Sequence, residues 1–175
     1  MRILVTGSSG YIGTRLVPRL ESAGHDVIGL DRVEPAEALP HFVRAGLLHP
    51  DYYSGVLSGV DLICHLAPAK GDWGISRDEY FRDNVEATGA LLATPNKFGL
   101  GRWIFYSTVS ALGPSDVPLG EAHERRPQNA YGESKAICEE LFEKFALENK
   151  HAQVLMIRPS VVFGPDNPWN TNILR

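Results

Sequence analysis

Cysteine is scarce in this 175-residue chain: Cys64 and Cys138 are the only two, and they do not form a Cys-x-x-Cys pair. That argues against a disulfide framework and a thiolate metal site, and predicts two buried thiols in a reducing compartment. The six histidines show no His-Glu-x-x-His or clustered spacing, so no metal is expected. No apolar run approaches the ~20 residues of a membrane-spanning helix. A basic excess is missing too: 17 Lys and Arg face 21 Asp and Glu, for a net charge of −4. Nucleic acid and anionic membrane therefore have no electrostatic claim as partners. Met1 leads almost directly into a strand-like run, without the segments of a signal peptide, so a cytoplasmic protein is expected. Internal repeats and low-complexity tracts are absent. What remains is an ordinary globular composition, 43% hydrophobic and 22% charged, in a length that suits one domain with a sizeable core.

The most informative stretch is the first thirty-one residues. The apolar run Arg2-Ile3-Leu4-Val5 enters a glycine-rich turn, Thr6-Gly7-Ser8-Ser9-Gly10-Tyr11-Ile12-Gly13. Tyr11, Ile12, Leu16, Val17 and Leu20 follow at helical spacing, Gly24 stops the helix, and Val27-Ile28-Gly29-Leu30 ends in Asp31. Strand, glycine turn, helix, strand and acid in that order suit a dinucleotide site. Gly7 turns the chain, Gly10 lets backbone approach a pyrophosphate, and Gly13 allows close packing of helix on strand. The helix N-terminus offers N–H groups to phosphate. Asp31, eighteen residues past Gly13, can accept from ribose hydroxyls. The competing reading is a glycine turn of some other α/β protein. Arg32 next door could meet the 2′-phosphate of NADP, but Asp31 would repel that phosphate, so NAD is favoured and Arg32 is read as a stacking or surface residue.

The glycine spacing, at positions one, four and seven of the motif, resembles the extended short-chain dehydrogenase/reductase superfamily. Later segments extend the resemblance to its NAD-dependent epimerase/dehydratase family. The opening is similar to the nucleotide-sugar 4-epimerases. The resemblance implies cofactor contacts from Gly7, Gly10, Tyr11, Ile12, Gly13, Asp31 and Arg32. At Gly46-Leu47-Leu48 the family carries an aspartate that touches adenine; Leu47 replaces it, leaving backbone contacts such as that of Leu48. A short helix is expected over 51–58, and the apolar strand 60–67 that follows suits a central parallel strand. Its end, Leu66-Ala67-Pro68, would lie against the cofactor, with Pro68 in place of an alanine. Lys70 resembles a cofactor-side lysine of some epimerases, or is a solvated loop residue. Ser76 and Glu79 form a capping box for a helix expected over 76–93. On it, Asn84-Val85-Glu86-Ala87-Thr88 resembles an Asn-Val-x-Gly-Thr segment whose asparagine supports the active site or cofactor; otherwise Asn84 is a polar-face residue.

The strand Trp103–Tyr106 ends in Ser107-Thr108. Hydroxyls at the C-terminal end of a parallel strand face the ligand crevice. By resemblance Thr108 takes the catalytic Ser/Thr position and Ser107 is its cofactor-side neighbour, with Leu112 replacing a tyrosine. Residues 114–128 form a long polar loop, expected to be functional. Asn129 then caps a helix to about Lys150 with Ile137, Leu141, Phe142 and Phe145 as its apolar stripe. Tyr131 and Lys135, four apart, share one face. A free tyrosine, with a pKa of ~10, is a poor base. An ammonium one turn away favours its phenolate. Tyr131 would then take a proton from a substrate hydroxyl as hydride leaves to NAD. Lys135 would also hold the nicotinamide ribose, and Thr108 would orient the substrate oxygen. A last strand at 154–158 leads into Pro159-Ser160-Val161-Val162-Phe163-Gly164-Pro165. Pro159 is a further expected cofactor contact, and Val161 stands where many members carry a substrate-binding asparagine.

Six strands alternating with helices predict a doubly wound parallel sheet of order 3-2-1-4-5-6, helices on both faces. Residues 1–165 are expected to be the NAD-binding Rossmann-like domain and 166–175 the start of a truncated substrate region. The resemblance implies an epimerase, dehydratase or dehydrogenase acting at a carbinol carbon, most simply of a nucleotide sugar such as UDP-glucose or UDP-galactose. Two alternatives stand beside it: a hydroxysteroid- or flavonol-type reductase, and an NAD-binding module without turnover. A homodimer through the helices containing Asn84 and Tyr131 is expected on the same basis.

Overall fold

Leu4, Ile28, Leu30, Ile63, Trp103 and Phe105 point to one face of a sheet, and Ile3, Val5, Val27 and Cys64 to the other. The alternation along each strand forces both faces to be covered, which is the doubly wound arrangement. The computed structural model describes residues 1–67, 74–94, 99–165 and 167. The strands are β1 (Arg2–Thr6), β2 (Asp26–Asp31), β3 (Phe42–Arg44), β4 (Leu62–His65), β5 (Arg102–Tyr106) and β6 (Gln153–Ile157). They form one parallel sheet of order β3-β2-β1-β4-β5-β6, as the sequence predicts.

Helix α1 (Gly13–Ser22) packs through Val17, Leu16 and Leu20 on the Ile3, Val5 and Val27 face. The opposite face carries α2 (Arg77–Tyr80), a π-helical segment (Phe81–Glu86), α3 (Ala87–Ala93) and α4 (Ala130–Glu148). Its core is aromatic. Phe142 stacks on Phe105 at 4.7 Å and meets Trp103 edge-on at 5.5 Å, while Phe145 meets Trp103 at 5.6 Å. Such pairs contribute roughly 0.5–1.5 kcal/mol each beyond their buried area. On the α1 face, Leu155 of β6 is 54% exposed.

Both expected caps are present. Ser76 and Glu79 form the capping box of α2, and Asn129 Oδ1 accepts from Gly132 N at 2.7 Å to start α4. Cys64 and Cys138 are buried and unbridged. Two expectations need correction. The helix read over 51–58 is a pair of 3-10 turns, Pro50–Tyr52 and Ser54–Leu57. Only Tyr53 and Leu57 bury deeply there, too few apolar anchors for a packed α-helical stripe. The helix read over 76–93 is interrupted by the π-helical segment, a geometry found mostly as single turns at functional sites. Among the described residues no helix is long and apolar enough to cross a membrane, and no cluster of three His, Cys, Asp or Glu could hold a metal. Residues 68–73 lie outside the described residues, and with them the expected contacts Pro68 and Lys70; residues 168–175 do so as well.

Candidate active site

The glycine turn is shaped by close approach. A Cβ at Gly13 would sit 2.3 Å from the Gly7 carbonyl oxygen and 2.5 Å from that of Ser8. Gly7 has φ +73°, and a Cβ there would lie 2.9 Å from Ala67 backbone. Any other residue at either place would push β1, β4 and α1 apart. Helix α1 starts with no side-chain cap and no acidic residue in its first turn, so its N-terminal end is left to receive an anion. Asp31 closes β2 beside it: Oδ2 accepts from Ser9 N at 3.1 Å and Oδ1 from Val33 N at 3.2 Å. Ser9 Oγ donates to the Val33 carbonyl at 2.6 Å, stitching the turn to the end of β2.

These residues open onto a cleft of about 960 Å³. Gly7, Gly10, Tyr11, Ile12, Gly13, Asp31, Arg32, Leu48, Leu66, Ala67 and Tyr131 all line it. Leu47 also reaches it but is otherwise buried, and its carbonyl accepts from Tyr53 Oη at 2.9 Å. The far wall comes from Glu79, Arg82 and Asp83 of α2 and the π-helical segment; of these the sequence pointed only to Glu79, and only as a helix cap. Asp83 binds Arg82 Nε through Oδ1 and Arg32 Nη1 through Oδ2, both at 2.9 Å. Burial pushes the Asp83 carboxyl up, but the hydrogen bonds from Arg82 and Arg32 outweigh it and hold the group below its usual range.

Tyr131 stands half-buried in the first turn of α4, its ring 5.8 Å from that of Tyr80. What lets it stand there is Gly132, where a Cβ would come within 2.4 Å of the Ser110 carbonyl oxygen. The turn Val109–Ala111 that supplies this carbonyl is capped by Thr108, whose Oγ1 accepts from Ser110 N at 3.2 Å. The Pro159 carbonyl accepts from Val109 N at 3.1 Å, and Ser107 N donates to Ile157 O at 2.8 Å. Asn84 is buried; its Nδ2 donates to Ser134 Oγ at 2.8 Å, and Ser134 Oγ donates to the Tyr131 carbonyl. Asn84 therefore braces the start of α4. Lys135 is fully buried, with Nζ donating to the Tyr106 carbonyl and lying 4.2 Å over the Phe105 ring. Burial pushes its ammonium down to about 8. Of the expected site residues that are described, Asn84, Ser107, Thr108, Lys135 and Pro159 thus belong to the structure around Tyr131 rather than to the cleft lining.

Two further networks hold this end together. His65 is fully buried: Nδ1 pairs with Thr6 Oγ1 at 2.7 Å and Nε2 with Thr88 Oγ1 at 3.0 Å. Burial and the nearby Lys135 charge lower its pKa to about 3, so it is a neutral imidazole. Glu139, one turn beyond Lys135 and fully buried, accepts from Arg125 Nε at 2.6 Å and from Arg158 Nε and Nη2 at 2.8 and 2.7 Å. Burial pushes the Glu139 carboxyl up, and hydrogen bonds from Arg158 and Arg125 override it and hold it down. Arg158 also donates to the Glu121 carbonyl at 3.1 Å, so one carboxylate fastens the 114–128 loop and the chain after β6 to α4. The chain after β6 is tied to the glycine turn as well: Tyr11 Oη and Arg15 Nη2 both donate to the Pro165 carbonyl, at 3.1 and 2.6 Å. The i, i+4 spacing of Lys135 and Glu139 was the available clue to Glu139; the partners, 14 and 19 residues away, were not.

A parallel α/β sheet with a glycine cradle, an uncapped helix start and an acid at the end of β2 defines a dinucleotide-binding domain. The pattern of the NAD dependent epimerase/dehydratase family matches residues 3–174, and the chain belongs to that family. It is 32% identical over 178 residues to a 2-alkyl-3-oxoalkanoate reductase of Stenotrophomonas maltophilia (strain K279a), covering 94% of this chain and 52% of that protein. It is also 32% identical over 151 residues to a UDP-glucose 4-epimerase of Lacticaseibacillus casei, covering 81% and 46%. Among solved structures, UDP-glucuronic acid 4-epimerase from Bacillus cereus in complex with NAD superposes with a TM-score of 0.83 at 30% identity, covering 94% of this chain and 58% of that one. The chain spans about half the length of the curated relatives it matches.

Proposed function

We propose that the cleft holds NAD and that Tyr131 is the acid/base group of an epimerase/dehydratase-type oxidoreductase acting at a carbinol carbon of a nucleotide sugar, such as UDP-glucose or UDP-galactose. The observation that carries this reading is the single cleft that reaches from the glycine turn and Asp31 to Tyr131. The cradle of Gly7, Gly10 and Gly13 and the start of α1 take the pyrophosphate. Asp31 takes the adenosine ribose hydroxyls, and Leu66 and Ala67 wall the site. NAD supplies the hydride acceptor and, in an epimerase, the returning donor. The Tyr131 hydroxyl takes the proton from the substrate hydroxyl, and Thr108 orients the same oxygen. Lys135, one turn along α4, supplies the positive charge that favours the phenolate. The brace from Asn84 through Ser134 keeps the Tyr131 backbone in place while its ring works. Pairing of two copies through α2, α3 and α4 belongs to the same reading.

A second substrate class is favoured by one observation. Val161 and Phe163 are 55% and 67% exposed, an apolar edge where the resembled epimerases carry a polar asparagine. This edge suits an apolar alcohol or ketone, in line with the reductase among the relatives. Calorimetric titration with NAD, then with UDP-glucose or an apolar 3-oxo acid in the presence of NAD, separates the two. Tyr131→Phe is expected to abolish turnover while NAD affinity stays within about twofold. Undiminished turnover in that variant refutes the role given to Tyr131.

A further inference from the structure

Arg32 follows Asp31 directly and is the cation placed to meet a phosphate on the adenosine ribose. It does not face that position freely. Its stem passes Gly46, where a Cβ would meet it at 3.7 Å, and its guanidinium binds Asp83 Oδ2 at 2.9 Å. Arg32 belongs to the end of β2 and Asp83 to the π-helical segment, 51 residues on, yet both line the same cleft. The Asp83 side chain is only 13% exposed, and its other oxygen is taken by Arg82 Nε. The neighbouring acid is not a rival for Arg32: Glu79 is engaged in the capping box with Ser76. Arg44, the other cation near the end of β2, is directed to the Arg32 carbonyl and to Glu34.

We infer that Asp83 is a specificity-determining residue of the dinucleotide site: it holds Arg32 as a strap across the adenosine end and withholds that guanidinium from a 2′-phosphate. Asp31 excludes NADP by repulsion, and Asp83 excludes it by occupying Arg32, the adjacent cation that would offset the repulsion. The inference rests on the reading of the cleft as the NAD site. It assigns to a residue on the opposite wall a part of cofactor choice that the end of β2 alone does not carry.

The test is calorimetric titration of the 175-residue chain, of Asp83→Asn, and of Asp83→Asn combined with Arg32→Ala, each with NAD and with NADP. Asparagine keeps the shape and an acceptor for Arg82 while removing the charge that holds Arg32. The affinity for NADP relative to NAD is expected to rise about tenfold in Asp83→Asn, the scale of one charge-assisted contact to phosphate. It is expected to return to the starting ratio when Arg32 is also removed, because the gain belongs to the freed guanidinium. An unchanged ratio in Asp83→Asn, with NAD still bound, overturns the inference and leaves the NAD reading standing. A gain that survives the loss of Arg32 also overturns it, since bulk charge would then be the cause. Failure of the unaltered chain to bind either nucleotide overturns both.

Discussion

Lowering the pH should weaken this domain through one ring. His65 sits at the end of β4 with both nitrogens engaged by Thr6 and Thr88, and its ring stacks on Phe105 at 5.6 Å. Protonation would give the ring two donors in a site without solvent and with the Lys135 charge close by. The folded ring titrates at about 3, against 6.5 for an ordinary histidine. Between those values the unfolded chain binds a proton that the folded chain refuses. Stability is therefore complete above pH 6.5 and falls as the pH drops toward 3. Each unit is worth about 1.4 kcal/mol, so this group alone removes about 2 kcal/mol by pH 5 and about 3 kcal/mol by pH 4. Against a typical domain stability of about 5–15 kcal/mol, that is a large share. Urea unfolding of the unaltered chain and of His65→Gln, followed by far-ultraviolet circular dichroism from pH 7 to pH 4, isolates the contribution. Glutamine keeps a donor and an acceptor but cannot titrate. The stability difference between the two proteins should shift by about 3 kcal/mol over that range in favour of the variant. A difference that stays constant with pH, or a His65 resonance that titrates near 6.5, refutes the argument.

The other perturbations act on the scaffold around Tyr131. Glu139→Ala removes the buried carboxylate shared by Arg125 and Arg158, leaving Arg125 with Glu143 and Arg158 with the Glu121 carbonyl, and should cost about 1.5–3 kcal/mol in denaturant unfolding. A loss below about 1 kcal/mol would mean the pair of guanidiniums finds solvent and the fastening is superficial. Gly132→Ala drives a methyl to within 2.4 Å of the Ser110 carbonyl and should cost about 1–3 kcal/mol, with weakened turnover because the first turn of α4 must lift. Wild-type stability and kinetics in that variant would contradict the close packing of α4 on the Val109–Ala111 turn.

Much of this was legible from local pattern. The run from Arg2 to Asp31 contains its own strand, turn, helix and acid within one contiguous stretch, so its local order is legible, while the approach of Ala67 to Gly7 and the ties of Tyr11 and Arg15 to Pro165 are not. The same holds for the Ser76–Glu79 capping box and for Asn129, where a side chain meets a backbone N–H three residues away. Strand order followed because parallel crossovers leave few topologies open. What escaped depends on contacts far apart in the chain. The i, i+4 spacing put Lys135 on the face of Tyr131, but the Tyr106 carbonyl, 29 residues upstream, receives its ammonium. The Glu139 hub joins three segments; its i, i+4 spacing from Lys135 points to the carboxylate but not to Arg125 and Arg158. Asp83 carries no local signal, because its partner Arg32 lies 51 residues away in the chain. The π-helical turn left no trace either, because composition does not reveal where a helix takes on one residue too many.

That surplus residue sets a rule about length rather than chemistry. Asp83 and Asn84 are neighbours in the chain, yet one lines the cleft and the other is buried against Ser134 of α4. An α-helix advances about 100° per residue, and the wide turn from Phe81 to Glu86 absorbs one such step. Deleting a single residue there would restore regular α-helical geometry and keep Thr88 and Leu91 on their present faces against Tyr80, because the wide turn already absorbs that step. Thr88 would stay with His65 and Leu91 with the core, while Asp83 and Asn84 would lose the extra position that lets one line the cleft and the other meet Ser134. A change of length confined to this turn is therefore felt in the cleft and at the start of α4, and the core beyond it keeps its register.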